Sequence, residues 1–215
     1  MLRATLCFCL IIITAGSVFS ENSFGPTFGC LTTADACGFG NGYLGGFIAY
    51  GEDVRILFGS LTYGFSDYTE GRFSLGFADP DFTNDNPAIT FGGDLKYEIM
   101  DFNDTRFNHP FDMAMGVFGE YTNYKEMSTM GLGAYAVGSL PYQFKNGQRL
   151  IPYSRLCFRW EKVKSDHNDF NSDSNYRLGL NLGAKFEVIK DMNIFGEIQL
   201  DGNRGILLGV DFRAL

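Results

Sequence analysis

The sequence is poor in the residues on which most catalytic and metal sites depend. It has two histidines, one tryptophan and six prolines among 215 residues. Both histidines, His109 and His167, stand in polar stretches beside aspartates, which is typical of solvated loop residues rather than of catalytic bases. Phosphate-binding loops, thiol-nucleophile signatures and metal-ligand quartets are absent from the sequence. We therefore expect no enzyme, with no catalytic residue, no metal and no cofactor.

An excess of positive charge is also lacking. The chain carries 17 basic and 25 acidic side chains, for a net charge of −8. A binder of nucleic acid, or a protein held to anionic lipid by a basic cluster, needs the opposite balance. The composition therefore argues against nucleic acid as a partner.

Long apolar runs are missing after the first twenty residues. The positive Arg3, the apolar stretch 6–13 and the cleavage-site sequence Val18-Phe19-Ser20 predict a signal peptide over residues 1–20, cut after Ser20. Its apolar core of roughly 10 residues is too short for a membrane helix, which needs ~20; a retained anchor is the alternative. No later segment is long enough, so any contact with a membrane has to be made by strands.

Three cysteines remain after cleavage. Cys30 and Cys37 flank six residues and could close a disulfide in an oxidising compartment, the alternative being two free thiols. Cys157 falls inside a predicted strand without an obvious partner. The stretch 21–40, rich in Gly, Phe and Thr, is predicted to be an irregular N-terminal segment, and 41–215 a single β-domain.

What the sequence has in abundance is alternation. Residues 176–188 place Tyr, Leu, Leu, Leu, Ala, Phe and Val on one face of a strand, and no charge interrupts that face. The pattern recurs between turns rich in Gly, Pro, Asn and Asp, without helical periodicity or a dividing linker. It predicts ten strands, at about 42–50, 54–65, 70–78, 88–100, 111–122, 128–140, 150–163, 176–188, 192–200 and 205–213.

The opposite faces of these strands carry basic and acidic side chains in nearly equal numbers, together with many glycines. Such a balance favours charges that pair with one another across a narrow interior, where small residues make room for long ones. The predicted lumen charge network consists of Arg55, Arg72, Asp94, Lys96, Glu98, Asp112, Glu120, Arg155, Arg159, Glu161, Arg177, Lys185, Glu187, Glu197 and Asp211. The first two strands are ambiguous, because Leu57 and Leu61 share a face with Arg55.

The signal peptide, the alternating strands and the last strand, Ile206 to Phe212, together resemble the small outer-membrane β-barrel proteins of Gram-negative-type bacteria, the OmpA/OmpX-like class. This resemblance implies an all-β fold: a closed, antiparallel, up-and-down transmembrane barrel of 8–10 strands, ten being favoured. It implies residence in the cell outer membrane, with outer-membrane lipids and the barrel-assembly machinery as partners. The chain departs from the class by ending in Arg213-Ala214-Leu215 rather than in an aromatic residue, although Phe212 is in phase.

The function expected on this basis is non-enzymatic, with a structural or surface-interaction role and a largely filled lumen. The polar stretch 165–175 is the best candidate for a surface-binding loop, and its ligand is not named by the sequence. A narrow, porin-like pore for small solutes is the first alternative, since side chains nearly fill a barrel of this strand number. A secreted soluble β-barrel that turns its apolar faces inward around a lipophilic ligand is the second.

Overall fold

The fold is built almost wholly from β-strands. The computed structural model describes residues 31–51, 54–80, 87–101, 111–123, 127–165, 173–200 and 204–215. Within these ranges no helix is long and apolar enough to cross a membrane. The strands are β1 (Gly42–Gly51), β2 (Val54–Gly64), β3 (Thr69–Pro80), β4 (Ala88–Met100), β5 (Asp112–Asn123), β6 (Met127–Ser139), β7 (Tyr142–Gln143), β8 (Arg149–Ser165), β9 (Asp173–Ile189), β10 (Met192–Leu200) and β11 (Arg204–Arg213).

Ten of these strands close into an antiparallel barrel. Neighbours in the chain pair with one another, β6 pairs with β8, and the first strand pairs with the last over nine residue pairs. The two-residue β7 pairs only with the start of β8, inside the connection between β6 and β8. Closure leaves no open edge along the body of the sheet. The predicted closed, ten-stranded, all-β barrel is confirmed.

The β8–β9 hairpin is longer than the sequence pattern indicates. Each of its strands has 17 residues, whereas β10 has nine. Residues 173–175, which the pattern assigns to a polar loop, continue the ladder opposite 161–163. On its other side β9 pairs with β10 only as far as Leu180, opposite Leu200. The first seven residues of β9 therefore project beyond β10.

Inward glycines make room mainly for aromatic rings. A Cβ atom at Gly183 would overlap the ring of Tyr153, and one at Gly116 would overlap the ring of Tyr135. The sequence pattern suggests instead that these glycines accommodate charged side chains. The interior combines ion pairs with two buried apolar clusters, one of them formed by inward residues of β1, β2, β3, β10 and β11 together with Leu31.

A tight turn precedes the barrel. Gly38 and Gly40 have φ angles of 80° and 75°, a left-handed conformation that glycine adopts without steric cost. Gly40 N–H donates to the Gly64 carbonyl at 3.0 Å, so the turn is fastened to the end of β2. Gly42 bonds to Leu215 and Ala214, and we call this end of the barrel the terminal end. The turn directs residues 31–37 back into the lumen.

Candidate functional site: the lumen and its N-terminal plug

The two faces of the wall have opposite chemistry. Large apolar side chains point outward along every long strand: Leu57 is 61% exposed, Phe77 59% and Ile198 53%. Ionic side chains point inward: Lys96 is 2% exposed and Arg155 1%. The soluble alternative, with apolar faces turned inward, is therefore wrong for this chain.

The structure places fourteen of the fifteen predicted charge-network residues on the inner face. Nine of them are buried: Asp94, Lys96, Glu98, Asp112, Glu120, Arg155, Arg159, Glu161 and Glu197. The other five are partly buried: Arg72, Arg177, Lys185, Glu187 and Asp211.

Arg55 is the exception, and its assignment to the lumen is wrong. Its side chain is exposed on the outer face, next to Leu57, while Val54, Ile56 and Phe58 are buried inside. The reason lies in β2, whose two faces are both apolar along this stretch, so that alternation alone does not identify the inner one. Arg55 stands one residue inside the strand end, where a long cationic side chain on the outer face can reach water.

The inner charges form short-range ion pairs and hydrogen bonds. Arg72 Nη2 lies 2.7 Å from Asp94 Oδ2, and Tyr135 Oη donates to the other Asp94 oxygen at 3.2 Å. Arg159 and Arg177 share Glu161, at 2.5 and 3.4 Å. Pairing of this kind offsets the desolvation of charges taken out of water.

A second network centres on Glu197 in β10. Arg155 Nη2 lies 3.6 Å from Glu197 Oε1, and Tyr153 Oη donates to Glu197 Oε2 at 2.7 Å. The Asn181 amide also donates to this carboxylate. The guanidinium of Arg155 lies over the Tyr135 ring, 5.6 Å from its centroid, which joins this network to the preceding one.

The lumen is occupied by residues 31–37, which we call the plug. Four of its backbone N–H groups donate to side chains of the wall. The bonds run from Leu31 to Glu197 at 2.6 Å, from Ala34 to Ser139 at 2.9 Å, from Ala36 to Glu98 at 2.8 Å and from Cys37 to Glu70 at 2.8 Å. Three of the four acceptors are carboxylates, which accept stronger hydrogen bonds than neutral groups.

Lys96 binds the other side of the plug backbone. Its Nζ donates to the carbonyl of Thr33 at 2.6 Å, to that of Asp35 at 2.9 Å and to the Thr32 hydroxyl at 3.2 Å. The same ammonium group lies 2.9 Å from Glu70 Oε1. One buried cation thus joins the plug to the wall at several points.

The charged side chains around the plug shift the protonation of two of its own groups. Burial alone would raise the pKa of Asp35, but the positive charges of Lys185 and Lys96 outweigh burial and lower that pKa to about 2. The Lys185 ammonium lies 3.4 Å from the Asp35 carboxylate. Burial, reinforced by the Glu70 carboxylate, raises the pKa of the Cys37 thiol to about 12. The plug therefore carries an ionised carboxylate and a neutral thiol at ordinary pH.

Beside the plug lies a partly open cavity of about 280 Å³. Residues of both charge signs line it, including Arg72, Arg149, Lys185, Glu187 and Asp211. The cavity is polar, and residues of the plug line it together with residues of the wall.

One group of side chains has the composition of a cation site. Ligand oxygens of Glu98, Asp101 and Asp112 lie within 4.8 Å of one another near the terminal end. Acidic groups of this kind are common without an ion, and Glu98 already accepts the Ala36 N–H.

The sequence pattern misses the plug and part of its binding surface. Residues 31–37 show no alternation, so the pattern predicts only an irregular segment there. Glu70 is absent from the predicted network although it stands two residues before Arg72, on the same face of β3, and that spacing was the available signal. Ser139 is the last residue of β6, and nothing in the sequence marks it as a partner of Ala34.

Several other residues singled out by the sequence lie away from the plug or outside the described ranges. His109, His167 and most of the 165–175 stretch lie outside the described residues, as does the signal peptide. Cys37 has a free thiol, and because Cys30 lies outside the described residues, the disulfide between them stays a prediction. Cys157 is buried on the inner face.

Comparison with known proteins finds solved structures of similar fold but no matching family. No family model matches the sequence, and none of the curated proteins matches it. Among solved structures, the chain is similar to the KdgM porin at 12% identity, over 79% of this chain and 98% of that one, with a TM-score of 0.40. It is similar to the β-domain of the Bordetella autotransporter BrkA at 12% identity, over 82% and 100%, with a TM-score of 0.47. It is also similar to Ail, the attachment invasion locus protein of Yersinia pestis, at 12% identity, over 82% and 99%, with a TM-score of 0.37.

Proposed function

We propose that the protein is a non-enzymatic outer-membrane β-barrel whose lumen is closed by its own N-terminal segment and whose role is structural or surface-interacting. The observation that carries the proposal is the orientation of the wall. Large apolar side chains are exposed on the outside of all ten strands, whereas soluble proteins rarely expose one contiguous apolar patch of more than a few hundred Å². Hydrocarbon is the surrounding in which such a surface is stable.

Strand length and closure agree with this setting. A strand needs ~9–11 residues to cross the hydrocarbon layer, and the barrel strands have between 9 and 17. In hydrocarbon every backbone N–H and C=O group must be bonded within the protein, which a closed barrel achieves. The barrel-assembly machinery and the outer-membrane lipids are the partners that this setting implies.

The plug supports a closed lumen. It fills the interior near the terminal end and is bonded to β3, β4, β6 and β10, so it is held from several sides. The ion pairs around Glu161 and Glu197 occupy the interior further along. A non-enzymatic role is consistent with this arrangement, because the buried carboxylates Glu70, Glu98 and Glu197 bind the plug backbone.

The β8–β9 hairpin is the part best placed for surface interaction. Its strands extend past β10 at the end opposite the terminal end, and among the described residues no strand pairs with 173–179 on the β10 side. This stretch includes Tyr176, which is 70% exposed. The proposal therefore assigns contact with external molecules to this hairpin.

The cavity beside the plug favours one alternative, a narrow pore for small solutes. Its charged lining resembles that of a water-filled passage, and displacement of the plug would enlarge it. In the occluded barrel proposed here, this passage is closed at rest.

Planar-bilayer recording of the purified full chain tests the proposal. We expect rare or no channel openings in neutral buffer. Steady ohmic conductance from the parent protein would contradict a closed lumen and support the pore. Fractionation gives the accompanying test of location: recovery of the chain from a detergent-free aqueous extract, rather than from outer membranes, would contradict the membrane assignment.

A further inference from the structure

The plug is held mainly through its backbone, and this suggests a more general property of the lumen. We propose that the lumen is a binding site for a short polypeptide segment, entered from the terminal end and held mainly through its backbone, and that residues 31–37 are its resident occupant. The inference deepens the proposed function and depends on the closed lumen described above. The wall side chains that bind the plug backbone, which we call the seat, are Glu70, Arg72, Lys96, Glu98, Ser139 and Glu197.

The N–H groups of the occupant meet acceptors from four strands. Glu197, Ser139, Glu98 and Glu70 each accept one backbone N–H of the plug, at 2.6 to 2.9 Å. Any peptide that adopts the backbone conformation of residues 31–37 and lacks proline at the four donor positions offers the same donors. Glu70, Glu98 and Glu197 are buried with the plug in place, and a backbone N–H of the plug takes the place of water at each of them.

The carbonyl groups of the occupant meet cations. Arg72 Nη1 donates to the Leu31 carbonyl at 3.3 Å, and Lys96 donates to the carbonyls of Thr33 and Asp35. The seat thus forms hydrogen bonds with both the N–H groups and the C=O groups of the bound backbone. The seat therefore recognises a main chain, and it does so through side chains rather than through the backbone of a sheet edge.

Three consecutive side chains in the middle of the occupant are limited by size. Thr32, Thr33 and Ala34 are 6%, 3% and 0% exposed. Ala34 is fully buried in the cluster that contains Phe118, Tyr135 and Tyr153, so a side chain as large as tryptophan would overfill its site. A peptide with bulky residues at these positions is therefore excluded, and one with Ala, Ser, Thr or Gly is accepted.

The test supplies the occupant as a separate peptide to full-length protein from which the resident plug has been displaced. Ala34→Trp overfills its buried site and should expel the plug without altering the seat. Gly64→Val gives a second route, because a Cβ at this position would overlap the Gly38 carbonyl in the turn that leads to the plug. Rapid labelling of the Cys37 thiol by a hydrophilic maleimide, together with a folded barrel in unheated gels, establishes that the seat is empty.

The probe is an acetylated peptide of residues 31–37 that carries Cys37→Ser and a fluorophore at its C-terminal end, read by fluorescence anisotropy. We expect saturable binding to both variants below about 1 mM, the effective concentration at which a short tether presents such a segment. The parent protein, whose seat is filled, should bind at least tenfold more weakly.

Two further peptides separate backbone recognition from other contacts. N-methylation at Ala34 and Ala36 removes two N–H donors and should weaken binding by about 100-fold, roughly tenfold for each bond to a buried acceptor. Exchange of Thr32 and Thr33 for alanine should change binding by less than fivefold. Equal binding of the methylated and parent peptides would overturn the proposal, as would the absence of saturable binding to a vacated seat.

Retention of the plug in both variants would also overturn it, because a site that admits tryptophan at position 34 does not select small side chains. These results are distinct from failure of the proposed function, which shows as steady conductance of the parent protein. If the parent protein shows no conductance and a variant with a vacated seat does not bind the peptide, only the proposed binding site is refuted.

Discussion

Lys96 is the side chain whose removal should most directly release the plug. Its ammonium group contacts Glu70, two plug carbonyls and the Thr32 hydroxyl, and it is 2% exposed. Lys96→Met keeps the length of the side chain but removes the charge. It leaves Glu70 buried without its cation, a change that in other proteins costs about 3–5 kcal/mol.

We take the low end of that range, because water can enter through the cavity beside the plug and Glu70 keeps its bond from the Cys37 N–H. A loss of ~3 kcal/mol in the free energy that holds the plug corresponds to a released population about 100-fold larger, at about 1.4 kcal/mol for each tenfold change. The Cys37 thiol reports on release. With its pKa at about 12, only about one part in ten thousand is thiolate at pH 8 while the plug is bound.

The assay is the rate of maleimide labelling at Cys37 in folded protein whose Cys30 and Cys157 are replaced by alanine. Lys96→Met should raise this rate about 100-fold, and Lys164→Met, at an exposed position far from the plug, should leave it unchanged. The direction of the change in labelling rate is informative, because the charge of Lys96 lowers the pKa of the Cys37 thiol. Loss of that charge would slow labelling of a plug that stayed in place. A rate within threefold of the parent would refute the assignment of Lys96 as the main anchor.

Three other predictions follow from the same geometry. The ionisation of bound Cys37, read as the ultraviolet thiolate difference between protein that lacks Cys30 and Cys157 and the same protein with Cys37→Ser, should keep rising above pH 9, because burial and Glu70 raise the pKa of this thiol to about 12; a plateau near pH 9 would show an unperturbed thiol. Leu75→Arg, in the middle of the outer face of β3, should destabilise the barrel in liposomes by ~2–4 kcal/mol, as measured by urea unfolding. The control Leu140→Arg should destabilise it by less than about 1 kcal/mol. Equal effects of the two substitutions would argue against a lipid-facing wall. Glu197→Gln should lower the temperature at which the folded gel band disappears, since it removes the carboxylate that pairs with the buried guanidinium of Arg155. Adding Arg155→Met to this variant should restore part of the lost thermal stability. Additive effects of the two substitutions would show that the pair is not coupled.

The architecture of the wall was predictable because it depends on a local, periodic signal. In the strand from Arg204 to Arg213, for instance, Ile206 and Leu208 alternate with Leu207 and Gly209, and every second residue meets the same surroundings. The inner charges followed from the same periodicity. Where both faces are apolar, as around Arg55 in β2, alternation does not distinguish the inner face from the outer one, and the prediction that Arg55 lies in the lumen was wrong.

The contents of the lumen were not predictable in this way. The plug is bound through N–H and C=O groups that every residue possesses, so its sequence carries no mark of what it binds. Leu31 meets Glu197 across 166 residues of chain, a pairing that only the closed barrel creates. The role of Gly183 was likewise hidden, since the ring that fills its space comes from Tyr153 on the neighbouring strand.

The plug also sets an order of events in assembly. It is the first described part of the chain to be made, yet its partners come from much later strands: Ser139 at 105 residues, Lys185 at 150 from Asp35 and Glu197 at 166 from Leu31. Contacts of such separation form late, because the intervening chain must first be ordered. Until β9 and β10 have joined the wall, this segment has neither its cation at Lys185 nor its carboxylate at Glu197. The inward docking of residues 31–37 is thus a final step that requires a completed cylinder. A docked plug therefore distinguishes a fully assembled molecule from a partly assembled one.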